Sequence, residues 1–197
     1  MRIGIDFDNT LVDYDRLFHQ VACNRGLIDD NCITRKSAVR SYLRDQNRND
    51  DWTELQGIVY GEEILRAPPF SGAFETISDL IVNNQIFLIS HKTQFPVLGA
   101  STDLRVKARA WISHYDLKKH LPDANIYFEE TRVAKVERIS RLGCDLFVDD
   151  LMETFEEPAF PGHVRQILFD PHDEYPNRTG INRIRDWRSL GAIVASL

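Results

Sequence analysis

Short apolar runs that each close on polar residues recur along this chain of 197 residues, at Ile3 to Phe7, Ile86 to Ile89, Ile126 to Phe128, Leu146 to Val148 and Ile167 to Phe169. Runs of this length, bounded by acidic and turn-forming residues, read as strands buried on both faces of a parallel sheet. Most are preceded by a helical stretch. That rhythm predicts an α/β fold with a doubly wound parallel sheet. Between the fourth and fifth runs the spacing is short and contains Pro158 and Pro161, which leaves room for only a brief helix.

The gap between the first and second runs is too long for one crossover. From about Asp15 to Ala67 it reads as helices without a strand. Leu17, Phe18, Val21 and Ala22 form one apolar stripe, closed by Gly26. Val39, Tyr42 and Leu43 form another after a candidate cap residue, Thr34, and a third runs from Trp52 through Leu55, Ile58 and Val59. Pro68, Pro69 and Gly72 punctuate the return, before a helix carrying Phe74, Ile77, Leu80 and Ile81. The expected organisation is a catalytic core of residues 1–14 and 68–197 with a small helical cap, residues 15–67, inserted after strand one.

Composition narrows the classes of partner. The chain is 43% hydrophobic, enough for one sizeable core and a small module, and its formal net charge is -6. An acidic balance argues against a broad basic surface for nucleic acid, while a local positive pocket for one phosphate is compatible with it. No apolar stretch approaches the length of a bilayer span, and no signal-like start precedes the first strand. Cys23, Cys32 and Cys144 are odd in number and lack metal-like CxxC spacing. They read as small core residues of a reduced, cytoplasmic protein.

The opening DFDNTL carries the chemistry. Side chains alternate along a strand, so Asp6 and Asp8 fall on one side of the strand end. In an open α/β sheet that end borders the ligand crevice. Two converging carboxylates resist ionising together, and a hard divalent cation with oxygen ligands, Mg2+, relieves the repulsion.

DxDxT at Asp6, Asp8 and Thr10 resembles the first motif of the haloacid dehalogenase superfamily. The family's further motifs follow in order: Ser90 after IFLI, Lys135 on an expected helix, and Asp149 with Asp150 after LFV. The resemblance covers strands one to four; the cap matches in placement and helical character. It implies Asp6 as a covalent nucleophile and Asp8 as general acid and base. It also implies Mg2+ held by Asp6, the backbone carbonyl of Asp8 and a fourth-motif carboxylate, Asp150 being preferred and Asp149 left open. Thr10, Ser90, His91 and Lys92 become candidate substrate contacts, and Lys135 a catalytic cation with Lys118 and Lys119 as rivals.

Relatives that cleave carbon-halogen bonds or phosphonates lack a carboxylate at the position of Asp8. The implied activity is therefore a phosphatase forming an aspartyl phosphate from a small phosphorylated metabolite, a sugar phosphate or nucleotide. A phosphotransferase or phosphomutase shares these motifs, and a binding domain keeping the fold is a third reading.

Blander roles accompany several residues. Ser90 also suits a turn cap, and Lys135 a solvated helix face, since the expected stripe of Val133, Val136, Ile139 and Leu142 leaves Lys135 beside it. Asp149 and Asp150 suit the next helix N-terminus. Arg35, Lys36, Arg40, Arg44 and Arg48 read as a solvated basic face. His19 reads as packed or capping, and Trp52 and Tyr60 as part of a core stripe.

Overall fold

The computed structural model describes all 197 residues, which form two compact units. The first consists of Met1–Val12, Pro69–Lys92 and Leu117–Leu197, and the second of Asp13–Pro68 and Thr93–Asp116.

The first unit holds the strands β1 (Arg2–Ile5), β2 (Gln85–His91), β3 (Ile126–Glu129), β4 (Leu146–Asp149), β5 (Arg165–Phe169) and β6 (Ile181–Ile184). They make one sheet in the order β3-β2-β1-β4-β5-β6. Every pairing is parallel, as the apolar runs predict. The strand order reverses at β1, so the chain leaves the centre of the sheet in both directions, and the crevice at such a reversal is where open α/β sheets place ligands.

Phe87, Ile89, Phe147 and Leu168 stand on one face of this sheet with Ile139, Cys144, Met152 and Phe155 in a single buried cluster. Gly4 belongs to that packing: a Cβ there would lie 2.5 Å from the Phe147 ring. Only a residue without a side chain lets the ring lie so close to the strand. α4 (Ala73–Leu80), α6 (Arg132–Arg141), the short α7 (Met152–Phe155) and α8 (Trp187–Ala195) complete the unit. The single turn of α7 is the brief helix expected between strands four and five.

The strand β6 departs from the sequence reading. INRI puts two polar residues inside a strand at the sheet edge, where only Ile184 is buried and Asn182 is exposed. Such a segment has no continuous apolar run to find. A second departure concerns α6. Val133 is 48% exposed whereas Lys135 is 2% exposed, so the buried face runs through Lys135, Val136 and Ile139 rather than past the lysine.

The second unit is helical: α1 (Asp15–Asn24), α2 (Lys36–Asp45), α3 (Asn49–Tyr60) and α5 (Leu104–His114). Its stripes are those of the sequence, with Leu17, Phe18, Val21, Val39, Leu43, Trp52, Leu55 and Val59 buried. Trp52 stacks on Phe18 with ring centroids 5.0 Å apart, and Tyr60 meets Phe18 edge-on at 5.5 Å. Trp111 of α5 donates its indole N–H to the Ala67 carbonyl at 2.7 Å, a satisfied buried donor. Thr34 does not cap α2, which begins after Arg35 without a side-chain cap. The Asp15 carboxylate, one helix away, accepts from the Lys36 N–H at 2.8 Å instead. No helix of the chain is long and apolar enough to cross a membrane.

Candidate active site

β1 ends at Ile5, and the next residues turn sharply. Asn9 adopts φ 57°, a left-handed conformation that Asn tolerates better than most residues. The N–H groups of Leu11 and Val12 then both return to the Phe7 carbonyl. Asp6 is held just before this turn by its own N–H, which donates to the Val148 carbonyl of β4 at 2.9 Å. The tip of β1 is thereby tied to the tip of β4, where Asp149 and Asp150 follow.

The carboxylate oxygens of Asp6, Asp149 and Asp150 lie within 4.8 Å of one another. Lys135 enters this group from α6. Its ammonium donates to Asp6 Oδ1 at 2.5 Å and to Asp149 Oδ2 at 2.6 Å. Its side chain is 3% exposed, those of Asp6 and Asp149 are 6% and 0% exposed, and the ammonium also lies 5.3 Å from the centre of the Phe147 ring. α6 is aimed by its cap: Thr131 accepts from the Ala134 N–H at 3.1 Å, which starts the helix one turn before Lys135.

Charge is not balanced here. Burial pushes the Asp6 carboxyl up to about 6, against the opposing pull of Lys135 and with Asp149 and Asp8 adding to the rise. For Lys135 burial is again the largest influence and acts to lower, yet Asp149 and Asp6 together hold the ammonium well above its ordinary value. The two directions are compatible. One ammonium facing two carboxylates keeps its proton, whereas two carboxylates sharing one ammonium cannot both be compensated, and the surplus falls on Asp6. Three hard oxygen donors with surplus negative charge suit Mg2+.

The Asp8 carboxylate stands apart from that trio and pairs with Lys92, whose Nζ lies 2.8 Å from Oδ2 and 3.1 Å from Oδ1. Lys92 is buried immediately beyond β2, with its ammonium 5.6 Å from the Phe7 ring centre. Its N–H donates to the Glu129 carbonyl at 2.8 Å, which extends the strand-like path past His91. Sequence reasoning brought Lys92 forward as a substrate contact and missed this pairing. Lysine directly after a strand, with a carboxylate expected on the neighbouring tip, is the signal that was available.

The other candidates divide. Ser90 is 1% exposed and sits in register with Phe128. Thr10 is fully buried, and its hydroxyl has no hydrogen-bond partner, while its carbonyl accepts from the Trp187 indole at 3.1 Å. His91 is exposed as a residue, but partial burial of its ring, followed by the Lys135 charge, lowers its pKa. Lys118 pairs with Asp123 in the open at 3.1 Å and does not join the cluster. Of the cysteines only Cys144 is a core residue; Cys23 and Cys32 are half-buried, because they lie at the end of α1 and in the loop after it.

No protein-family model matches the sequence, and no curated protein matches it. Solved structures do. A family hydrolase from Deinococcus radiodurans, described with bound phosphate and sodium, is 16% identical at a TM-score of 0.61 and covers 99% of this chain and 95% of its own. The fold is that of the haloacid dehalogenase superfamily. Two further solved structures align over 98% of this chain. One is a hydrolase of Bacillus subtilis bound to magnesium, 13% identical at a TM-score of 0.51 over 97% of its length. The other is described as a dehalogenase, 12% identical at 0.55 over 96%.

Proposed function

We propose that this protein is a Mg2+-dependent phosphatase that hydrolyses a small phosphorylated metabolite, a sugar phosphate or nucleotide, in the cytoplasm. The observation that carries the reading is the buried Asp6 carboxylate, set among Asp149, Asp150 and Lys135 at the reversal of strand order. An Asp6 oxygen attacks phosphorus, the bond to the ester oxygen breaks, and an aspartyl phosphate forms. Asp8 gives the leaving oxygen its proton and then takes one from the water that opens the phosphoenzyme. Lys92 orients the Asp8 carboxyl, and Lys135 orients Asp6 while neutralising charge beside the phosphoryl oxygens.

Bound Mg2+ would supply the remaining positive charge, held by Asp6, the Asp8 backbone carbonyl and Asp150. Asp149 already accepts from Lys135 through one oxygen and from the Leu151 N–H through the other, at 2.6 and 3.0 Å. That occupancy supports Asp150 as the direct ligand and Asp149 as the residue that positions Lys135.

The structural neighbours include both a phosphate-bound hydrolase and a dehalogenase, and Asp8 favours the phosphate chemistry, because a leaving ester oxygen needs a proton and a leaving halide does not. Release of inorganic phosphate from a panel of phosphorylated metabolites tests the reading. Turnover is expected with Mg2+, reversible loss with EDTA, and loss of all turnover in Asp6→Asn while the variant still unfolds in one cooperative transition. Mg2+ at about 100 times its Kd should also stabilise the fold by about 2.7 kcal/mol. An active Asp6→Asn variant overturns the mechanism, and isomer formation without phosphate release makes the protein a mutase.

A further inference from the structure

A cavity of about 700 Å3 opens between α4 and α8, within the first unit and apart from the catalytic cluster. That volume is in the range that holds a small molecule. The two helices meet inside it: Thr76 Oγ1 donates to the Trp187 carbonyl at 3.2 Å, and a Cβ at Gly191 would touch Thr76 Cγ2 at 3.8 Å. The charged side chains lining the cavity are Glu75 and Asp79 of α4 and Arg188 of α8. Each of these residues is exposed, and none of the three side chains has a hydrogen-bond or ion-pair partner within the chain.

Two of these charges stand against the local physics of their own helices. Asp79 lies in the last turn of α4, where the backbone carbonyls gather negative charge, and that turn has no basic residue. It also follows Glu75 by four positions, so two like charges share one face of the helix a single turn apart. Arg188 has the converse fault. It is in the first turn of α8, where the N–H groups gather positive charge, and that turn has no acidic residue. The nearby Asp186 carboxylate is taken up by the N–H and hydroxyl of Ser189. Charge that costs local stability and finds no partner in the chain points to a partner outside it.

The charges are also ordered along the groove. A Cβ at Gly72 would lie 3.9 Å from Arg188 Cγ, so the stem of the arginine starts beside the leading end of α4. From Gly72 to Asp79 the helix advances about 10 Å at 1.5 Å per residue. A polyamine would be repelled by Arg188, and a dianion by the two carboxylates. A molecule with one charge of each sign at its ends meets neither repulsion. We propose that this groove binds an ω-amino acid, its carboxylate on Arg188 and its ammonium between Glu75 and Asp79. The guanidinium offers a carboxylate two parallel N–H donors, and the two acids share the three N–H donors of the ammonium. Between the charged ends, Gly191 contributes no side chain to fill the groove beside Thr76.

The test titrates the full-length protein with ε-aminocaproate and follows the backbone amide resonances. Saturable shifts confined to α4, α8 and the residues flanking them are expected. Caproate, which lacks the ammonium, and cadaverine, which lacks the carboxylate, should each bind at least about 10-fold more weakly, since each forgoes one charge-assisted contact. Arg188→Gln and Asp79→Asn should weaken ε-aminocaproate by about the same 10-fold for the same reason. Asp79→Asn should also raise the midpoint of thermal unfolding, because it relieves the end of α4; a loss of binding with a gain in stability is not what a structural residue gives. No saturable binding of ε-aminocaproate, equal binding of caproate or cadaverine, or unchanged binding in Arg188→Gln would overturn the proposal. Asp6→Asn should bind the probe as the unsubstituted chain does, so the result stands or falls separately from the phosphatase reading.

Discussion

Lys135 on α6 and Lys92 just beyond β2 are both ammonium groups taken almost wholly out of water, with side chains 3% and 2% exposed. Their partners differ. Lys135 bridges two carboxylates that are themselves buried, whereas Lys92 meets Asp8, whose side chain keeps 18% exposure. The comparison teaches that burial of a lysine says little about its importance until the wetness of its counter-charge is known. A carboxylate left behind in a dry site retains its full desolvation cost; one near water can rehydrate.

Removing each lysine in turn tests that contrast. Lys135→Met is expected to cost about 3–5 kcal/mol in urea unfolding, because Asp6 and Asp149 lose their common partner. Adding Asp149→Asn to it should recover part of the loss, a coupling that a double-mutant cycle reads directly. The pH dependence has a definite sign. Lys135 holds its proton more tightly in the folded chain, so its contribution is complete below the unfolded lysine value of about 10.4 and is lost as pH rises through its higher folded value. That alkaline limb of the stability curve should be missing from Lys135→Met.

Lys92→Met is expected to cost less, about 1–3 kcal/mol, since water can reach Asp8. An equal or larger loss than in Lys135→Met would remove the distinction between the two sites. Asp103→Ala provides the smallest effect, about 1 kcal/mol, as the loss of an N-cap that accepts from Arg105 and Val106 N–H groups at 3.0 and 2.9 Å. Here the sign is opposite. Those N–H groups and Gln94 hold the Asp103 carboxyl below its ordinary value. Its contribution is present above about pH 3.9 and lost as pH falls through the lower folded value, so the wild-type and Asp103→Ala stability curves should converge in acid.

Much of the central sheet was legible because a strand buried on both faces must be apolar on both, and Ile3, Phe87, Phe147 and Leu168 announce that without reference to their neighbours. The edge strand Ile181–Ile184 gave no such signal, being wet on one side. Asp6, Asp149 and Asp150 could be named from motif order, and their carboxylates do come together. Lys135 was named too, but its burial was not legible. Val133 two residues earlier fits an apolar stripe equally well, and only the approach of two carboxylates from β1 and β4 makes the lysine the inward-facing member.

Local sequence therefore determined the five buried strands and the helical stripes between strands one and two, and which residue types stand at those strand tips, because periodicity and turn chemistry act over a few neighbouring positions. Tertiary structure alone decided which charge faces which. Asp6 with Lys135 and Asp8 with Lys92 are pairings across 129 and 84 residues. No local pattern ranks one ammonium over another at such separations. The choice is made when strands come into register and water is driven out, and only then does each carboxylate acquire the partner that compensates it.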